Sequence, residues 1–146
     1  NFKRAAMVAQ RTEDYKSGFY KSGGGVVSPL PDDAPRFVKD YYAYYKTPRG
    51  YHKRSLNSNN GWNVTSNLPF LNFKFFDYAD ELESAVMVVH GDKAHSFYFG
   101  KDTYALLKGD NKEFVVVAGA NHTDLYDGLS VIPFNKIESF FNENLK

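Results

Sequence analysis

A chain of 146 residues, 42% hydrophobic and 24% charged, has the length and composition of one globular domain. Its formal net charge of +1 gives no overall drive toward nucleic acid or an anionic membrane surface, and no apolar run approaches the ~20 residues that span a bilayer. The absence of cysteine excludes a disulfide framework and thiolate chemistry within these residues and suits a reducing compartment, so a cytoplasmic location is the expectation.

From Asn1 to Tyr20, Phe2, Ala5, Ala6, Val8 and Ala9 recur in a helix-compatible pattern with Lys3, Arg4, Arg11 and Lys16 outward, which predicts a helix. The opening Asn1-Phe2-Lys3-Arg4 is no signal peptide and does not begin with Met, so the expectation is that an upstream segment or tag has been removed. Gly18 and Gly23-Gly24-Gly25 break the helix. The triplet follows no buried strand and lacks the Lys-Ser/Thr ending of a phosphate-binding loop, so it reads as a flexible connector. Pro29 and Pro31 extend that connector, and Asp32-Asp33-Ala34-Pro35 marks the next helix start.

Arg36 to Lys46 follows as a helix with an aromatic stripe of Phe37, Tyr41, Tyr44 and Tyr45, stopped by Pro48-Arg49-Gly50. Between Arg36 and Arg54, six basic residues face one acid, with five Tyr among them. Basic residues among aromatics can bind single strands, but no sheet face surrounds these, so a solvated face over an aromatic lid is the reading and no nucleic-acid partner is expected. Tyr51 to Asn72 is Asn-rich and reads as loop plus short helix, with Trp62 as its expected anchor. Asn63-Val64-Thr65 and Asn121-His122-Thr123 match the glycosylation triplet, a pattern common by chance. Phe70 to Tyr78 is apolar enough to dock on a core, and Asp77 to Glu83 supplies a helical turn. The 11 Tyr and 13 Phe of the whole chain read as a well-filled core with a Tyr-lined surface, or as the lining of a substrate pocket.

The stretch from Ser84 to Asp127 organises the rest. Ser84-Ala85-Val86-Met87-Val88-Val89 opens into His90-Gly91-Asp92-Lys93-Ala94-His95-Ser96, and Glu113-Phe114-Val115-Val116-Val117-Ala118-Gly119 opens into Ala120-Asn121-His122-Thr123-Asp124. Short β-branched runs closed by glycine read as strands buried on both faces of a parallel sheet. The helix-length segment between them, with Ser96 as N-cap and Phe97, Tyr104, Leu106 and Leu107 inward, completes a βαβ unit. Pro133 to about Leu145 closes the chain as a helix covering a sheet face. In open α/β sheets, chemistry gathers beyond the carboxyl ends of the strands, and both His-containing clusters lie there.

This arrangement resembles the end of an α/β-hydrolase domain, carried by His90-Gly91-Asp92-Lys93, by Gly119-Ala120-Asn121-His122-Thr123-Asp124-Leu125-Tyr126 and by Val131-Ile132-Pro133-Phe134 onward. The wording is nearest to dienelactone-hydrolase-like and peptidase-like bacterial members. The resemblance implies an α/β fold of two parallel strands with flanking helices, the C-terminal part of a hydrolase core over 84–146, with a helical cap insert over 1–83. It implies His122 as the triad base and Asp92 as the acid, although many members place that acid about two residues later, where this chain has Ala94. Asp124 is the alternative carboxylate, though with Asp127 it would more naturally brace the loop.

His90, Asp92, His95 and His122 match no strong zinc spacing, and no metal or cofactor is expected. No G-x-S-x-G elbow occurs, and Ser96 reads as a helix cap, so the nucleophile is expected outside these residues. The expected substrate is a small ester or amide. The expected partner is the N-terminal half of the same hydrolase, or a second copy, covering an open sheet edge, with no membrane partner. A non-catalytic, hydrolase-like binding or scaffold module is the other reading.

Overall fold

Valine side chains branch at Cβ, lose rotamer freedom in a helix and suit a pleated surface. The two valine-rich runs are accordingly strands, β1 over Val86–Gly91 and β2 over Lys112–Val117. They pair in parallel, from Val86 opposite Lys112 to Gly91 opposite Val117. Among the described residues these two strands make the whole sheet, and the chain is mixed α/β. The computed structural model describes residues 2–145, which fall into two units, one up to Lys74 and one from Phe75 onward.

In the second unit, the parallel pair is joined by α5 (Phe97–Leu106), which packs on both strands. The contact is aromatic. Phe114 of β2 stacks on Phe97 at 6.0 Å and on Tyr104 at 5.4 Å between ring centroids, while the His90 ring lies 5.7 Å from that of Phe97. Gly100 makes room for this. A Cβ there would meet the His90 ring at 2.9 Å. The chain turns at Gly109, whose φ of +92° favours glycine, and enters β2. A helical turn at 79–81 precedes β1, and α6 (Asp124–Asp127) and α7 (Phe134–Asn144) follow β2.

The expectation of strands buried on both faces is corrected. Most residues of both strands are only half-buried, and Val116 is 47% exposed. Leu106 of α5, expected inward, is exposed, and α7 has no buried residue, with Phe134 and Phe141 half in solvent. The two compact units divide between Lys74 and Phe75, nine residues before the boundary expected after Glu83. Asn111 Nδ2 donates to the Glu83 carbonyl at 2.8 Å, and Lys112 Nζ donates to the carbonyls of Leu82 and Ser84, so residues 75–83 belong with the sheet.

The first unit is helical. It comprises α1 (Phe2–Ser17), α2 (Arg36–Tyr45), α3 (Leu56–Asn60) and α4 (Asn67–Asn72), with a tight turn at Val64–Ser66. Met7 of α1 and Leu68 of α4 are buried, and α1 packs on α4 and the 64–66 turn. Asp14 accepts from Gln10 Nε2 at 2.8 Å and from the Lys21 N–H at 3.2 Å, bracing the exit from α1.

The glycine-rich segment is pinned rather than free. Gly23 N–H donates to the Trp62 carbonyl at 2.7 Å and Val64 N–H to the Lys21 carbonyl at 2.8 Å, an antiparallel bridge. Trp62 therefore anchors through its backbone, its side chain being 45% exposed. Tyr44 stands edge-on to Tyr45 at 4.9 Å and under the Arg49 guanidinium at 5.3 Å, so residues of the α2 aromatic stripe pack against one another. Phe70, Phe73, Phe75 and Tyr78, expected to dock on a core, are exposed, Phe73 by 66%. Among the described residues no helix is long and apolar enough to cross a membrane.

Where β1 ends, the backbone of Gly91 lies against Ala120, and a Cβ at Gly91 would land on the Ala120 carbonyl. Neither neighbour is a flexible side-chain tip. Gly91→Ala should therefore lower the free energy of unfolding by about 1–3 kcal/mol, read as a shift of the urea midpoint; an unchanged midpoint would contradict this close approach.

Candidate active site at the strand tips

Parallel pairing brings the ends of β1 and β2 to one edge of the sheet, where their loops are stitched together. Asp92 N–H donates to the Val117 carbonyl at 3.2 Å and Lys93 N–H to the Ala120 carbonyl at 2.9 Å. The turn after β2 passes through Gly119 with φ of +79°, a backbone state glycine adopts at no steric cost. Asp92 Oδ1 accepts the Gly119 N–H at 2.7 Å, and its Oδ2 lies 3.7 Å from Lys93 Nζ.

The next segment is held from within. Asn121 Oδ1 accepts from the Thr123 N–H, the Thr123 hydroxyl and the Asp124 N–H at 2.8–3.0 Å, while Asp124 Oδ2 accepts the Asn121 N–H at 2.9 Å. These bonds start α6 and leave Thr123 0% exposed. The second glycosylation triplet is thus part of a packed loop. Asp124 braces that loop, as its place two residues after His122 suggests.

His122 sits in this braced segment, half-buried. Its Nδ1 is 3.1 Å from Ser96 Oγ, its ring is edge-on to Tyr126 at 5.4 Å, and the His95 ring is 5.9 Å away. Burial lowers its pKa from the ordinary imidazole value, and the neighbouring His95 and His90 lower it further. A neutral imidazole is a proton acceptor, so the environment favours the form a general base needs.

The structure thus brings His122, Ser96 and His95 together and places Asp92 on the adjoining loop. The contacts of Asp92, expected to orient the imidazole, lie elsewhere than on that ring. Its carboxylate is engaged by Gly119 N–H and Lys93, not by His122. Ser96 stands at the N-cap position of α5, as expected, but its hydroxyl goes elsewhere. It makes no side-chain cap to α5 and pairs instead with His122. The signal for Ser96 lay in the sequence as the last residue of the polar cluster after β1, but its reach to His122 depends on where the second loop folds. Among the described residues no group of three His, Asp or Glu side chains is placed to hold a metal ion.

No known protein-family profile matches the chain. The chain is 45% identical over 111 residues to the uncharacterized protein PA2218 of Pseudomonas aeruginosa, a match covering 75% of this chain and 30% of that protein. It is 28% identical over 151 aligned positions to the uncharacterized protein YcjY of Escherichia coli, covering 92% of this chain and 44% of that one. The crystal structure of hypothetical protein PA2218 matches with a TM-score of 0.87 and 38% identity, over 97% of this chain and 44% of that one. The chain therefore spans less than half the length of these relatives.

The lowered pKa of His122 has a consequence for stability. The unfolded chain binds the proton at the ordinary value of 6.5 and the folded chain only at lower pH, so stability falls as pH drops through that range. The urea midpoint of the chain should decrease between pH 7.5 and 5.5, and His122→Gln should flatten part of that decrease. An equal decrease in the variant would place the linkage elsewhere.

Proposed function

We propose that this chain is the C-terminal portion of an acyl hydrolase of the serine-hydrolase type, esterase or peptidase-like, built on an α/β-hydrolase fold, with His122 as its general base. The observation carrying this reading is a neutral-leaning imidazole held by a hydrogen bond on the loop just beyond a parallel strand. In such chemistry the base takes the proton of a nucleophilic hydroxyl as it attacks the acyl carbon, then returns it to the leaving alcohol or amine. Asp92 contributes by fixing the Gly119 turn that leads to His122. On this reading the nucleophile and the donors that stabilise the oxyanion lie outside these residues, which fits a chain that spans less than half the length of the relatives it matches.

The same reading gives the partner. An N-terminal half of the hydrolase, or failing that a second copy of the chain, covers the open edges of the two-stranded sheet and its half-exposed valines. The substrate is a small ester or amide, and the place of action is the cytoplasm. The engagement of Asp92 with backbone favours one other reading, a hydrolase-like binding module without turnover.

The test uses the chain expressed together with its upstream coding sequence. p-Nitrophenyl ester hydrolysis should be measurable, and His122→Ala should lower kcat by about 10²- to 10⁴-fold. An unchanged rate would remove His122 as base. No turnover, with no serine or cysteine elbow upstream, would favour the binding module. Asp92→Asn keeps an acceptor for Gly119 N–H, and its kcat should stay within about tenfold of the parent, the weight of one ordinary hydrogen bond; a loss as large as that of His122→Ala would return Asp92 to the role of orienting acid.

A further inference from the structure

An imidazole that moves protons does so through one ring nitrogen while the other is held, because the held nitrogen sets the tautomer and the direction of the ring. In His122 the contact at Nδ1 is the hydroxyl of Ser96, at 3.1 Å across 26 residues of chain. Ser96 stands immediately before α5 with φ of −94° and ψ of 8°, where a serine would ordinarily cap the first turn. It makes no side-chain cap. Its hydroxyl is committed to another loop.

Resting on the reading of His122 as base, we propose that Ser96 is the positioning residue of that base, holding Nδ1 so that proton transfer falls to Nε2. The role differs from that of a nucleophile. A nucleophilic serine works against the nitrogen of the base that takes its proton, Nε2 in a Ser-His-Asp triad, whereas Ser96 sits against Nδ1, the nitrogen that such a base uses for orientation. It also differs from that of a carboxylate. A hydroxyl both donates and accepts, so Ser96 can pair with Nδ1 protonated or bare, and it brings no negative charge to hold a proton on the ring.

The ring is half-buried and meets Tyr126 of α6 edge-on, and its titratable neighbours include His95 on the first loop and His90 of β1. Both histidines act against a charge on His122. The tightly packed Gly100 and Gly91 fix where β1 hands over to the loop carrying Ser96, so the hydroxyl is placed by the fold of the βαβ unit.

The experiment reads the tautomer directly. Two-bond nitrogen–proton correlation spectra of the chain should show His122 predominantly in one tautomer, Ser96→Ala should give a mixture with a shifted titration midpoint, and Ser96→Thr, which keeps a hydroxyl, should restore the parent pattern. Ser96→Asp should move the midpoint upward. With the upstream coding sequence attached, Ser96→Ala should lower kcat about tenfold, the weight of one ordinary hydrogen bond, with KM little changed and the acid limb of the pH–rate profile displaced, and Ser96→Thr should recover most of the rate. A global fold change would appear as altered spectra for residues of β1 and β2, and Ser96→Thr controls for it.

Identical tautomer ratios and midpoints in the parent and Ser96→Ala would overturn the positioning role, even where His122→Ala abolishes hydrolysis. Complete loss of turnover in both Ser96→Ala and Ser96→Thr, with a covalent fluorophosphonate adduct on Ser96, would make it the nucleophile instead. If the tautomer responds to Ser96 while His122→Ala leaves hydrolysis intact, the hydrolase reading of His122 fails and the catalytic part of this inference fails with it.

Discussion

Parallel pairing of β1 and β2 is the constraint on which the candidate site depends. In an antiparallel pair the loops following the two strands would lie at opposite ends of the sheet, and Ser96 and His122 would be separated by a strand's length. Parallel strands cannot be joined by a tight turn and need a crossover, usually a helix. Here that crossover is α5, and it begins at the same edge where β2 ends. One topological requirement therefore does two things: it returns the chain to the start of β2, and it leaves Ser96 at the tip of β1 facing the loop that carries His122.

A loop at a strand tip holds a geometry only if its polar groups find partners within it, because unpaired backbone donors in a packed region are costly. The two loops meet this in different ways. The first is tied to the second through backbone bonds from Asp92 and Lys93 and through the Asp92 carboxylate on Gly119 N–H. The second closes on itself around Asn121, whose single carbonyl oxygen accepts three donors. The tight approach of Gly91 to Ala120 joins the two arrangements. Ring orientation at His122 is thus set by a rigid loop on one side and a hydroxyl on the other.

Much of this was readable from local pattern. The strand runs were visible because β-branched residues cluster and stop at glycine, and α1, α2, α5 and α7 because apolar residues recur at helical spacing. His122 stood out because it follows a strand. What escaped depends on distances between segments far apart in the chain. Ser96 has the local marks of a helix cap, and only the path of residues 118–123 decides that its hydroxyl goes elsewhere. Asp92 lies one residue past a strand, as an orienting acid would, yet the Gly119 N–H lies nearer its carboxylate. Burial was misjudged for the same reason. Valine runs and the Phe70–Tyr78 segment are apolar enough for a core, but hydrophobicity says only that a residue benefits from being covered, not that these residues themselves supply the cover.

The same reasoning bears on what a hydroxyl at Nδ1 does to the imidazole. A carboxylate there stabilises the protonated ring and raises its pKa, whereas half-burial and two neighbouring histidines lower it. With the Asp92 carboxylate drawn to the backbone, those lowering influences meet no negative charge on Asp92 directed at the ring. The ring is therefore poised as an acceptor that releases its proton readily. The lowering comes first from burial and then from His95 and His90, which the folding of the two loops brings to the ring.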